Sequence, residues 1–168
     1  MPKGTVPPRP RKSKLAEQFE GDGFALEETE YEYLDPRGAR HDLRALLRRV
    51  DRAFLGADRP FELPQVAWAD LRAHNAWALY VIRDDVILVE KSLDAETTPR
   101  AVLRYLLLHE LLHIAHPPDG GGSQGDWHTA EHEAALADFP GADEAEAWLE
   151  AAARRERERR VPRRPAAA

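Results

Sequence analysis

The stretch TTPRAVLRYLLLHELLHIAHPP, residues 97–118, decides the fold and contains the most distinctive motif of the chain. Thr97 or Thr98 is suited to cap a helix and Pro99 to its first turn, while Pro117-Pro118 would end it after His116. Apolar residues surround nearly the whole of this helix. It is therefore predicted to be buried at the centre of the protein.

Two histidines, His109 and His113, lie four residues apart in this helix. That spacing places both imidazoles on one face, so that each can offer a nitrogen to the same ion. Glu110 is suited to act as general base on a zinc-bound water. Zinc would lower the pKa of that water to about 7 and polarise the carbonyl group under attack. The pattern predicts zinc as cofactor and hydrolysis of peptide bonds as the activity.

A third zinc ligand must come from outside the helix, because a catalytic zinc site usually has three protein ligands. His128 is the first candidate, since the glycine-rich connector 120–125 could fold the chain back. Glu133, His132 and Glu131 follow as alternatives. A His132 that is not a ligand could hydrogen-bond the water or the developing oxyanion.

Composition sets the class of protein. With 168 residues, of which 43% are hydrophobic, the chain is expected to form one domain with tails. The absence of cysteine excludes disulfides, zinc ribbons, iron–sulfur clusters and a cysteine nucleophile. Without a long apolar run or an apolar leader, no membrane contact and a cytoplasmic location are expected.

Charge and hydropathy predict three regions. Residues 1–35 are basic and then acidic and are expected to be disordered. Residues 36–150 are expected to form the zinc metallopeptidase domain. Residues 151–168 are expected to form an arginine-rich helix end and a disordered tail. The net charge of -6 argues against a protein that coats nucleic acid. The basic tails are candidate contacts to DNA phosphates. Nothing in the sequence indicates the oligomeric state.

The remaining elements predict an α+β fold. Leucines recur at helical spacing from Asp42, with Gly56 as a stop signal. Three short stretches, 66–68, 77–83 and 86–90, favour strands in a small, mainly antiparallel sheet. Asp126 is expected to cap a short helix that ends near Asp138, and a last helix is expected to begin near Asp143.

In their order along the chain, these features resemble the SprT-like zincin metallopeptidases, the group that includes Spartan and small bacterial relatives. The resemblance covers roughly Asp42 to Leu149 and includes the strand hairpin, the leader Lys91–Asp94 and the motif from His109 to His113. It implies a minimal zincin fold, with a small antiparallel sheet packed on the motif helix and flanking helices. It also implies His128 as third ligand, an extended protein substrate bound along an exposed strand, and action on DNA-associated proteins.

Two alternatives stay open. Glu131-His132-Glu133-Ala134 followed by Phe139-Pro140 is similar to the ligand helix of regulatory peptidases of the ImmA/IrrE type, which would make Glu133 a ligand and a repressor the substrate. In the other alternative, a non-catalytic binding domain is merely stabilised by zinc.

Overall fold

The computed structural model describes residues 30–117 and 128–160 and shows an α+β fold, as predicted. These residues form four helices and one three-stranded sheet. The elements are α1 (Leu43–Val50), β1 (Gln65–Ala69), β2 (Ala78–Val81), β3 (Val86–Glu90), α2 (Arg100–Ala115), α3 (Ala130–Ala137) and α4 (Ala142–Arg160). No helix in the described part of the chain is both long and apolar enough to cross a membrane.

The helical region that starts with α1 begins and ends where the sequence indicates. The Asp42 carboxylate accepts a hydrogen bond of 3.0 Å from the backbone N–H of Ala45, which caps the helix. Its apolar side chains are buried, and the helix continues through a π-helical turn at Asp51–Leu55. The chain then leaves at Gly56, whose φ of 74° is readily adopted only by glycine.

The sheet is mixed, so the prediction of an antiparallel sheet is wrong for one of its two strand pairs. The strand order is β1-β3-β2; β2 and β3 form the predicted antiparallel hairpin, whereas β1 pairs with β3 in parallel. All five residues of β3 are buried, while those of β2 are half-buried. A strand whose residues are all buried gains most at the centre, where neighbours cover both edges. After β1 the chain must therefore skip the central position and form β2 at the far edge. It then turns back to place β3 between the two.

Both faces of the sheet are covered. Trp68 and Val89 belong to the main core on the helical side, whereas Ala67 and Leu88 pack with Tyr33 on the other side. The backbone N–H of Leu34 donates to the carbonyl of Trp68 at 2.8 Å. The packed part of the chain therefore includes residues before the predicted boundary at 36.

A second link joins the start of the fold to the end of the sheet. Asp94 follows the short 3₁₀ turn after β3, and its carboxylate accepts hydrogen bonds from the backbone N–H groups of Ala39, Arg40 and His41, the last two at 2.9 Å. Gly38 packs against this carboxylate so closely that an added Cβ would lie 2.3 Å from Asp94 Oδ2. The loop before α1 is thus fixed next to the segment that leads into α2.

Helix α2 is the centre of the molecule, as predicted, but it starts later than its capping residues suggest. Thr98 is buried and does not cap the helix; Pro99 stands at the cap in an extended conformation, and its carbonyl accepts the N–H of Val102 at 3.0 Å. The fixed φ of proline, here -64°, is compatible with this extended cap position. Leu107 and Leu111 are fully buried between the sheet and the other helices.

The last two helices pack against α2. Thr129 caps α3, its hydroxyl accepting the backbone N–H of His132 at 3.2 Å, whereas the predicted cap Asp126 lies outside the described residues. Phe139 is buried at the break between α3 and α4, and its ring contacts that of Tyr105 on α2. The Tyr105 hydroxyl donates to Glu146 of α4, which ties the final helix to the central one.

Candidate metal centre

His109 and His113 lie one turn apart near the end of α2, and both are half-buried. Their Nε2 atoms are 3.2 Å apart. The helix therefore brings together the two imidazoles that the sequence spacing predicted, with ring nitrogens facing the same point.

His128 approaches the same point from outside the helix. Its Nε2 lies 3.1 Å from the Nε2 of His109, and its ring centroid is 5.0 Å from that of His113. One nitrogen of His109 thus faces two other imidazole nitrogens. Two nitrogens bound to one tetrahedral zinc ion, each at about 2.0–2.1 Å, are about 3.4 Å apart. The spacing of this donor set fits a zinc ion.

His132 is the fourth member of the cluster and its most buried one, with 1% of its surface exposed. Its ring centroid lies 4.8 Å from those of His109 and His128 and 4.5 Å from that of His113. One potential ligand atom from each of the four histidines falls within 4.8 Å of the others. Among the described residues, a group of four imidazoles therefore surrounds one point.

The tautomer of His132 follows from its surroundings. Its Nε2 lies 3.1 Å from the backbone carbonyl oxygen of His109. A carbonyl oxygen only accepts hydrogen bonds, so Nε2 carries the hydrogen. Burial lowers the pKa of His132, which favours the neutral ring. Its Nδ1 then has a lone pair and no hydrogen, so in this state it cannot donate to an oxyanion, although it can accept from a water.

The environment also favours the metal-binding form of His109. Burial, followed by the proximity of His113, His132 and His128, lowers the pKa of His109 to about 3. The ring is therefore neutral at physiological pH. A metal ion binds the neutral imidazole, so no proton has to be displaced from this residue first.

Glu110 points away from solvent into the protein, and only 6% of its surface is exposed. Burial raises its pKa to about 8, against the opposing effect of a hydrogen bond from the backbone N–H of Tyr80. Tyr80 lies on β2, the strand at the edge of the sheet. The carboxyl group of Glu110, the residue that follows His109 in α2, is thus held against the edge strand.

The carboxylate candidates Glu131 and Glu133 lie outside the cluster, as does the neighbouring His116. Glu131 and Glu133 are exposed on α3, and His116 is half-buried at the end of α2. None of the three belongs to the group of converging ligand atoms found among the described residues. The structure thus brings together His109, His113 and His128, with His132 as an additional partner.

The sequence did not indicate the contact between Tyr80 and Glu110. The β-branched and aromatic residues of 77–83 predict a strand, but which of its N–H groups faces the motif helix depends on the position of β2 at the sheet edge. No family model, characterised protein or solved structure matches the chain. Membership of the SprT-like group therefore stays a prediction from the sequence.

Proposed function

We propose that this chain is a zinc-dependent metallopeptidase of the zincin type that hydrolyses peptide bonds in protein substrates. The observation that carries the proposal is the convergence of three imidazole nitrogens, two of them from a helix that also carries a buried glutamate. The nitrogens belong to His109, His113 and His128, and two of the separations are 3.1 and 3.2 Å. Helix α2 supplies Glu110 and two of the three histidines, so their relative positions are fixed by one rigid element.

The roles in this proposal divide between the histidines and the glutamate. The three histidines would hold the zinc ion, which when bound lowers the pKa of a water to about 7 and polarises a substrate carbonyl. Glu110 would take a proton from the attacking water and pass it to the leaving amine. Its burial supports this role, because a carboxyl group shielded from bulk solvent has a raised proton affinity and can both accept and release a proton.

Strand β2 is the proposed docking site for the substrate backbone. It pairs with β3 along one side, and no other strand among the described residues pairs with its second side. An extended peptide can add to such an edge through main-chain hydrogen bonds. The contact from Tyr80 to Glu110 supports this choice, since it puts the edge next to the proposed base. Docking through the backbone predicts little dependence on substrate side chains.

The test compares the wild-type protein with Glu110→Gln, using an unfolded protein such as casein as substrate. The wild type should cleave it only with zinc bound, whereas the variant should keep its zinc and lose cleavage by a factor of at least about 100. Glu133→Gln is the matched control, because Glu133 is exposed in the first turn of α3 and lies outside the cluster. It should retain both zinc and activity. Loss of zinc in this control would favour the ImmA/IrrE-type ligand set instead.

A zinc-stabilised binding domain is the second candidate, and His132 is the observation that favours it. Four imidazoles are enough to close the coordination sphere of zinc, as in structural sites. In that case the wild-type protein would bind zinc and gain thermal stability but cleave no substrate. Protein that binds no zinc at all would contradict both candidates.

DNA-associated proteins remain a predicted substrate class. The basic tails that suggested it fall largely in residues 1–29 and 161–168, outside the described part of the chain. The described arginines near the end of α4 are exposed and alternate with glutamates. Cleavage that increases with added DNA and weakens with salt would support the prediction, and indifference to both would contradict it.

A further inference from the structure

We propose that His132 is a fourth, displaceable metal ligand that closes the site in the resting protein through its Nδ1 atom. The inference rests on the metal site of the proposed function and adds its regulation. A substrate carbonyl would then have to displace His132 before reaction.

The first support is the unused nitrogen of a buried ring. Nε2 of His132 is committed to the carbonyl of His109, whereas Nδ1 is buried and has no hydrogen-bond partner. An unsatisfied buried polar atom costs about 1–3 kcal/mol, so a partner for this lone pair is expected. A neutral imidazole nitrogen is also a good zinc ligand. A metal ion held by the three neighbouring histidines would supply the missing partner.

The second support is how the chain positions the ring. His128 and His132 are four residues apart, as are His109 and His113 on the facing helix. The Thr129 cap holds the backbone N–H of His132, and the hydrogen bond to the His109 carbonyl holds the other end of the residue. His132 is therefore held beside the cluster by hydrogen bonds at both its backbone N–H and its ring Nε2.

The third support concerns how firmly the fourth ligand would be held. The four candidate donor atoms spread over as much as 4.8 Å, compared with about 3.4 Å between two ligands of one tetrahedral zinc ion. The set must contract for all four nitrogens to bind. Contraction works against the contacts that fix His132, so this ligand should be exchangeable for an oxygen or an anion.

The experiment uses cobalt(II) as a spectroscopic probe in the full-length, metal-free protein. His132→Gln is the test variant, because its side-chain amide can still donate to the His109 carbonyl but offers no imidazole lone pair. His116→Gln is the matched control, since His116 lies near the cluster and outside the ligand set. Circular dichroism checks that each variant is folded. Azide, a small anionic ligand, is then titrated into each cobalt-loaded protein and followed in the visible spectrum.

If His132 closes the site, azide should bind His132→Gln at least about tenfold more tightly than the wild type, because a tethered imidazole competes at high effective concentration. The visible spectrum should also differ between the two proteins before azide is added. The His116→Gln variant should follow the wild type in both measurements. Equal azide affinity and an equal cobalt spectrum in wild type and His132→Gln would overturn the inference while leaving the metallopeptidase proposal intact.

Failure of the wild type to bind cobalt or zinc would instead contradict the proposed function itself. If the His132→Gln variant does not fold, a second measurement on the wild type alone tests the inference. In zinc-loaded protein with nitrogen-15-labelled histidines, NMR distinguishes a metal-bound Nδ1 from a free one. A free Nδ1 on His132 would reject the inference, and a bound one would support it.

Discussion

Replacing Glu110 by glutamine should stabilise the metal-free protein, and the gain should grow with pH. Burial raises the pKa of Glu110 from 4.5 to about 8 in the folded chain. Since the folded state binds this proton more tightly than the unfolded chain, the wild type suffers no penalty below pH 4.5 and loses stability as the pH rises towards 8. Glutamine has a similar shape, can accept the Tyr80 N–H and does not titrate.

The size of the effect follows from the pKa difference. Each unit corresponds to about 1.4 kcal/mol, so the two proteins should diverge by about 3 kcal/mol between pH 5 and pH 8. The contribution of His109 to the pH dependence of stability has the opposite sign. Its lowered pKa favours folding above about pH 6.5 and costs stability as the pH falls towards 3. That contribution is common to both proteins and cancels in the comparison.

Urea denaturation in the presence of a chelator, followed by circular dichroism at pH 5, 6, 7 and 8, gives the required free energies of unfolding. The Glu133→Gln variant, altered at an exposed position on α3, should run parallel to the wild type at every pH. If the Glu110→Gln and wild-type curves also ran parallel, the buried carboxyl group would not have a raised pKa in the metal-free protein.

Four further outcomes are expected. His128→Ala should lose near-stoichiometric zinc on dialysis while staying folded, since His128 is exposed, whereas alteration of the exposed His74 should leave metal content unchanged by elemental analysis. In the wild type, free zinc at about 100 times its dissociation constant should add about 2.7 kcal/mol to the free energy of unfolding, and a chelator should remove it. Leu107→Ala should cost about 2–5 kcal/mol in urea denaturation, because it opens a cavity at a fully buried site of α2. Gly38→Ala should cost about 1–3 kcal/mol by the same assay through its clash with Asp94, and an unchanged unfolding midpoint would contradict the close approach seen there.

Much of the fold is predictable from local patterns because short-range chemistry fixes it. Asp42 and Gly56 mark the ends of the first helical region, and the short gap between the stretches 77–83 and 86–90 predicts the hairpin of β2 and β3. The parallel pairing of β1 with β3 was not predictable in this way. It depends on which strand takes the centre of the sheet, and the burial of every residue of β3 decides that only when the whole core is assembled.

The candidate site, like the fold, is predictable from local sequence only in part. The spacing of His109 and His113 on one helix is sufficient to place them together, and the structure brings His128 to them. Thr129 rather than Asp126 caps α3, and that shift determines how His132 is presented. The hydrogen bond that fixes its tautomer is donated by its Nε2–H to a backbone carbonyl on another helix. A contact between such distant segments leaves no periodic signal in the sequence.

The hydrogen bond from Tyr80 to Glu110 has a consequence for how the proposed enzyme would respond to its substrate. This N–H lowers the proton affinity of the carboxylate that it contacts. A peptide strand that docks on β2 and accepts the same N–H would take it away from Glu110, and the carboxyl group would then hold its proton more tightly. Occupancy of the sheet edge would therefore change the protonation of Glu110: an empty edge favours the carboxylate, which can accept a proton, and a docked peptide favours the protonated form.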